Sequence, residues 1–152
     1  MLSHNLAAEM QRYNVEKHRR SGSLGPWIEH LLDDEGLSYE QAKLLLSNWE
    51  PIPIIDAKRG HMGTIIKKNR EIHLAIYKRF RRRGQVTSRR IAEILQPMLD
   101  SNVFLVTKID KIEDADFIER LGFQEIGVDQ AGSKCYILNA IKYPEVRHAA
   151  SI

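Results

Sequence analysis

The chain has 152 residues, 43% hydrophobic and 28% charged, with a formal net charge of +3. That size supports one domain whose core needs no disulfide staples, and the composition is that of a soluble globular protein. There is no run of about 18 apolar residues, no signal-type stretch in the first twenty, and only one cysteine, Cys135; a membrane span, a secretory leader, an internal disulfide and a thiolate metal site are therefore not expected, and the expected location is cytoplasmic.

Residues 2–20 read as a polar amphipathic helix, with Ser3 as N-cap and Leu6, Met10 and Tyr13 along one face. SGSLGP (21–26) breaks it. Pro26 opens a second helix, PWIEHLLDD, which Gly36 stops. Ser38 and Gln41 have capping-box spacing and open a third helix through YEQAKLLLSN, although AKLLLSN also fits an extended segment. Trp27, Ile28, Leu31, Leu32 and Leu44–Leu46 are expected to face a core, the alternative being an oligomer or docking surface.

The texture changes at Trp49. PIPIIDA is apolar and proline-edged, as suits a strand near a sheet edge, and HMGTIIKKN fits its hairpin partner across KRG. EIHLAIYKRF alternates: Ile72, Leu74, Ile76 and Phe80 point one way, Glu71, His73, Tyr77 and Arg79 the other. From Thr87 a helix carries Ile91, Ile94, Leu95, Met98 and Leu99, and Pro97 is expected to kink or shorten it. NVFLVTKI reads as a strand covered on both faces, and KIEDADFIERLG as a helix ended by Gly122. FQEIGV and KCYILNAI follow as two strands joined by the turn DQAGS, with Cys135 expected to be buried and inert.

Charge is unevenly spread. From Lys58 to Arg90 there are twelve Lys or Arg against one acid, Glu71, while the remainder holds eleven bases and nineteen acids. Such segregation points to an anionic partner for the middle of the chain. The densest part, KRFRRRGQVTSRR (78–90), sits where a strand turns into a helix. Backbone amides in a tight loop opening a helix make an anion cradle, helped by the helix dipole.

Two segments carry a family likeness. IYKRFRRRGQV places Ile76, Lys78, Phe80, Arg81 and Gly84 along a signature of the form V-x-P-x-Y-R-G-K-G-I-G, and FIERLGF (117–123) follows at the expected distance, with two strands after it. From Glu71 to about Ile141 the chain thus resembles the GCN5-related N-acetyltransferases, the GNAT fold, and it is similar to small acetyltransferase-like proteins of short-tailed phages. The implied architecture is α/β: a mixed, mostly antiparallel twisted central sheet flanked by helices. An N-terminal helical cap (1–48), a core (49–143) and a tail (144–152) would make one domain overall. The implied co-substrate is acetyl-CoA, its thioester attacked directly by an amine acceptor. Backbone at Leu74, Ile76 and Lys78 would align the pantetheine, and Arg81, Arg82, Arg83, Gly84, Gln85, Val86 and Thr87 would hold the pyrophosphate.

A general base must take a proton from the ammonium beside the thioester. Glu71, on the more polar face at the start of the long strand, is the best-placed carboxylate; the bland reading pairs it with Lys67, Lys68 or Arg70. His73 shares its face as a second base or water-holder. Three positions depart from the family: Ile118 stands at the family's frequent tyrosine acid, Asp110 and Lys111 near its asparagine, and Val86 at its final small residue. Tyr136 is a substitute acid or, as a core ring, none. The departures support a second reading, a catalytically silent GNAT-fold component of a phage particle with assembly partners or homo-oligomers. A third is nonspecific binding of nucleic-acid backbone by Arg79, Arg81 to Arg83, Arg89 and Arg90. The six histidines are scattered, and no metal is expected.

Overall fold

In the computed structural model, residues 22–81 and 86–142 are described; the expected helix over 2–20 and tail over 144–152 lie outside them. The described residues form two compact units, one of residues up to Ile66 with Leu74–Arg81, the other of Lys67–His73 with residues from 86 onward. Six strands follow the order β1-β2-β3-β4-β6-β5: β1 Glu50–Asp56, β2 Gly60–Lys68, β3 Glu71–Ile76, β4 Leu105–Ile109, β5 Gln124–Val128 and β6 Lys134–Leu138. The mixed α/β architecture with flanking helices is the one the sequence predicts.

In the first unit, α1 (Gly25–Glu29) carries Pro26 in its first turn and widens into a π turn over His30–Asp34, closed by the Glu35 amide donating to the His30 carbonyl at 3.3 Å. Ser38 caps α2 (Tyr39–Leu46) in a full capping box: its hydroxyl accepts from the Gln41 amide at 3.1 Å and the Gln41 side chain accepts from its amide at 2.9 Å. The segment AKLLLSN is therefore helical, not extended. Ile28, Leu31, Ala42, Leu46 and Ile66 make a core cluster, each large side chain contributing about 1.5–3 kcal/mol by leaving water. Leu44 and Leu45 do not join it; they are 77% and 57% exposed, because Ala42 and Leu46, four residues apart, claim the buried stripe.

The hairpin between β1 and β2 turns on Asp56, whose Oδ1 accepts from the amides of Lys58 and Arg59 at 2.8 Å each. Pro51 and Pro53 lie within β1, a terminal strand, where missing donors cost no ladder bond. In β2, Gly63 lies so close to β3 that a Cβ there would stand 2.7 Å from the Ala75 carbonyl. β3 stops at Ile76, where the sequence predicts a strand to Phe80; Lys78–Phe80 instead tighten into a 3-10 turn. Tyr77 leaves the polar face expected of it and is buried, its ring meeting His61 edge-on at 5.5 Å.

In the second unit β3 and β4 run parallel with Glu71 opposite Val106, while β4 and β5 each pair antiparallel with β6. Thr87 caps α3 (Ser88–Asn102), accepting from the Arg90 amide at 3.2 Å, and Ile91, Ala92, Leu95 and Leu99 are its buried stripe. Pro97 neither ends nor shortens α3. Pro97 and Glu93 are both exposed, so water can serve the carbonyl whose donor the proline removes. Because the helix runs to Asn102, β4 begins only at Leu105. Between them Val103 adopts φ +71° while 75% exposed. Val103→Gly is expected to raise stability by about 1 kcal/mol, strain relief outweighing the flexibility gained by the unfolded chain, as read from urea midpoints. α4 (Ala115–Leu121) follows a 3-10 turn over Ile112–Asp114 and ends on Gly122 at φ +119°. Asp129 holds the β5–β6 turn, its Oδ1 accepting from the amides of Ala131 and Ser133 at 3.0 and 2.9 Å.

Candidate functional site

Glu71 and His73 flank Ile72 on β3, and alternation along a strand turns both side chains to one face. The backbone between them is pinned: the Thr107 hydroxyl donates to the Ile72 carbonyl at 2.6 Å, and the Val106 amide to the Arg70 carbonyl at 2.8 Å. The two side chains meet, Glu71 Oε2 lying 2.5 Å from His73 Nε2, with Glu71 33% and His73 23% exposed. Glu71 thus has a histidine partner that none of Lys67, Lys68 and Arg70 anticipates. Arg70 is turned elsewhere, its Nε donating to the Asn102 carbonyl at 3.0 Å and its guanidinium lying over the Phe104 ring.

Leu74 and Ile76 are half-buried on the far end of β3. The turn that follows is closed by its own amides, Phe80 donating to the Tyr77 carbonyl at 2.8 Å and Arg81 to the Lys78 carbonyl at 3.2 Å. Three carboxylates from α1 and the π turn hold it, one by a backbone amide and two by its cations. The Lys78 amide donates to Glu29 Oε1 at 2.7 Å, the Lys78 ammonium lies 3.1 Å from Asp33 Oδ2, and Arg81 Nη2 lies 3.4 Å from Asp34 Oδ2. Arg81 Nε donates to the Ile76 carbonyl at 2.9 Å. Lys78 and Arg81, candidate coenzyme contacts, thus carry internal partners as well. Sequence separations of 45 and more hid these pairs, although the acidic LLDDEG opposite the basic KRFR is a visible complement. Arg82, Arg83, Gly84 and Gln85, the centre of the candidate cradle, lie outside the described residues. Val86 is half-buried and Thr87 exposed at the start of α3, where Arg89 and Arg90 pair with Glu93 at 3.4 and 3.3 Å.

Asp34 is held below the ordinary carboxylate range, first by its 2.8 Å hydrogen bond to His30 and then by the charges of Arg81 and Lys78. His61 is pushed the same way by burial, the Arg79 charge adding to it and a backbone bond to Gly63 opposing it, and its Nε2 lies 2.8 Å from the Thr64 hydroxyl. The folded form therefore binds both protons more weakly than the unfolded chain. His61 contributes fully above about pH 6.5 and loses that contribution as the unfolded histidine charges below it; Asp34 does so from about pH 4 downward. Urea melts are expected to show stability falling below pH 6.5, with His61→Gln flattening the upper part and Asp34→Asn the lower.

The other candidates separate cleanly. Tyr136 is 1% exposed, and burial, then the carboxylates of Glu125 and Glu119, push its phenol above the usual range. It is a core ring. Ile118 lies on α4 and offers no proton. Asp110 is paired with the Ser133 hydroxyl. Half-buried Cys135 lies with its Sγ 3.8 Å from the Ser133 carbonyl. Among the described residues no group of three or more His, Cys, Asp or Glu is placed to hold a metal ion, and no helix is long and apolar enough to cross a membrane.

No protein-family model and no curated protein matches the chain. Solved structures do resemble it. A mutant form of the spermidine N-acetyltransferase SpeG from Vibrio cholerae shares 14% identity over 80% of this chain and 92% of its own, with a TM-score of 0.57. An acetyltransferase from Agrobacterium tumefaciens C58 shares 10% over 76% of this chain and 84% of its own, at 0.57. Tetrahymena GCN5 shares 19% over 80% and 86%, at 0.54. At these identities the likeness is one of fold: the chain has the GNAT-like α/β architecture.

Proposed function

We propose that this GNAT-like domain is an acyl-CoA-dependent N-acetyltransferase in which an amine acceptor attacks the acetyl-CoA thioester directly. The observation that carries the reading is Glu71, a partly exposed carboxylate held by His73 at the head of the strand that leads into the basic turn and α3. Glu71 takes a proton from the ammonium. The freed lone pair forms the C–N bond, the C–S bond breaks, and the thiolate takes the second N–H proton. Backbone at Leu74, Ile76 and Lys78 aligns the pantetheine, and the segment from Arg81 to Thr87 holds the pyrophosphate. With Ile118 at the tyrosine position, no side chain is assigned as acid. Titration calorimetry with acetyl-CoA tests the reading: micromolar binding is expected, followed by thiol release with primary amines. Absence of heat at millimolar coenzyme would overturn it.

A second reading, a catalytically silent GNAT-fold component of a phage particle, is supported by the internal carboxylates on Lys78 and Arg81 together with Ile118 and Val86. It expects a folded protein that binds no coenzyme. Salt-dependent retention on DNA, weakened equally by Arg81→Ala and Arg83→Ala, would favour nucleic-acid backbone instead.

A further inference from the structure

We infer that His73 is a positioning residue for Glu71, holding one carboxylate oxygen so that the other meets the incoming ammonium; the inference rests on the transferase reading above. Nε2 lies 2.5 Å from Oε2, within hydrogen-bond reach, with the ring nitrogen donating and the carboxylate accepting. Such bonds are directional, so the contact narrows the rotamers open to Glu71 and with them the places Oε1 can take. An unheld glutamate on a half-exposed strand face has three rotatable bonds, and a proton acceptor must lie within hydrogen-bond reach of its proton.

The support beneath the pair is rigid. Between them Ile72 is buried, its carbonyl taken by Thr107, and Glu71 itself stands in register with Val106. Side chains held on a fixed strand keep their geometry better than ones on a loop. Neither side chain is sealed off, so a substrate can reach the carboxylate. The proton passes from ammonium nitrogen to Glu71 Oε1 and then to solvent. His73 donates throughout and gains or loses none. A surface ion pair of no consequence would have the same distance but none of the kinetic effects that follow.

The test uses the full chain, acetyl-CoA and a primary amine, with thiol release as readout, for wild type, His73→Leu, His73→Gln, Glu71→Gln and the double variant Glu71→Gln/His73→Leu. His73→Leu is expected to lower kcat about ten- to hundredfold, the order of loss that misplacement of a reacting group brings, with KM for acetyl-CoA unchanged. His73→Gln, which keeps a donor, recovers most of that loss. The double variant falls no lower than Glu71→Gln alone, because a positioning residue has nothing left to position. Circular dichroism on each variant separates loss of fold from loss of rate, and His73→Asn, smaller but still a donor, substitutes for any variant that unfolds. An active wild type whose His73→Leu form keeps its kcat, or losses that multiply in the double variant, would overturn the inference and leave the transferase reading standing. A wild type that neither binds acetyl-CoA nor releases thiol removes both.

Discussion

Glu71→Gln is expected to lower kcat for amine acetylation about 10²–10³-fold at neutral pH while leaving acetyl-CoA affinity unchanged. An amide keeps the size of the carboxylate and still accepts from His73, so β3 and its pairing with β4 stay as they are; what is lost is the ability to take a proton. At pH 7 nearly every acceptor amine is an ammonium, because such groups titrate near pH 10.4, and an ammonium has no lone pair to attack with. The deficit should therefore narrow as pH rises towards the acceptor's own pKa, where free amine no longer needs a base. Rates of thiol release from pH 6.5 to 9.5 check this. A variant with full activity at neutral pH would remove Glu71 from the chemistry.

The second large effect concerns the fold. Gly122→Ala is expected to cost about 3 kcal/mol or more, from two additive causes. Gly122 ends α4 at φ +119°, a conformation in which any Cβ is strained. A Cβ there would also collide with the Ala140 carbonyl and stand 3.0 Å from the Lys142 amide, which donates to the Leu121 carbonyl at 2.9 Å. The backbone of residues 140–142 cannot step aside as a flexible side chain would. Urea denaturation should show a lower midpoint at unchanged slope, and a midpoint equal to wild type would contradict the geometry. The glycine of ERLGF therefore has a structural reason that holds whether or not the protein is an enzyme.

Much of this was legible in the residues. Ser38 with Gln41, Asp56 before KRG, Thr87 before its helix and Gly122 after ERL are local devices, and each is built as its chemistry dictates. Periodicity served well where one stripe dominates, as in α3. It failed where a run is apolar all round: of Leu44, Leu45 and Leu46 the pattern cannot say which is buried until Ala42 is seen to set the face. It failed too at Tyr77, whose burial beside His61 is decided by residues far along the chain. Pro97 did not shorten α3, since the carbonyl it deprives of a donor is that of exposed Glu93, where water can serve it. Glu71 and His73 were visible as neighbours on one face, since a spacing of two needs no tertiary knowledge. The grip of Asp33 and Asp34 on Lys78 and Arg81 was not, because ion pairs leave no periodic trace.

The widened turn over His30–Asp34 has a consequence for how those two aspartates are aimed. A π turn accommodates one residue more than an α turn, so deleting one, Leu32 for instance, would turn the bond from Glu35 to His30 into an ordinary α bond and leave the chain from Glu35 onward where it stands. What would uncover Lys78 and Arg81 is loss of the carboxylates themselves: with Asp33→Asn and Asp34→Asn the bend beyond β3 keeps its cations and loses their ion-pair partners. Two neutralising substitutions, far from Gly84 in sequence, are thus a way to raise the appetite of that bend for anions without touching a basic side chain.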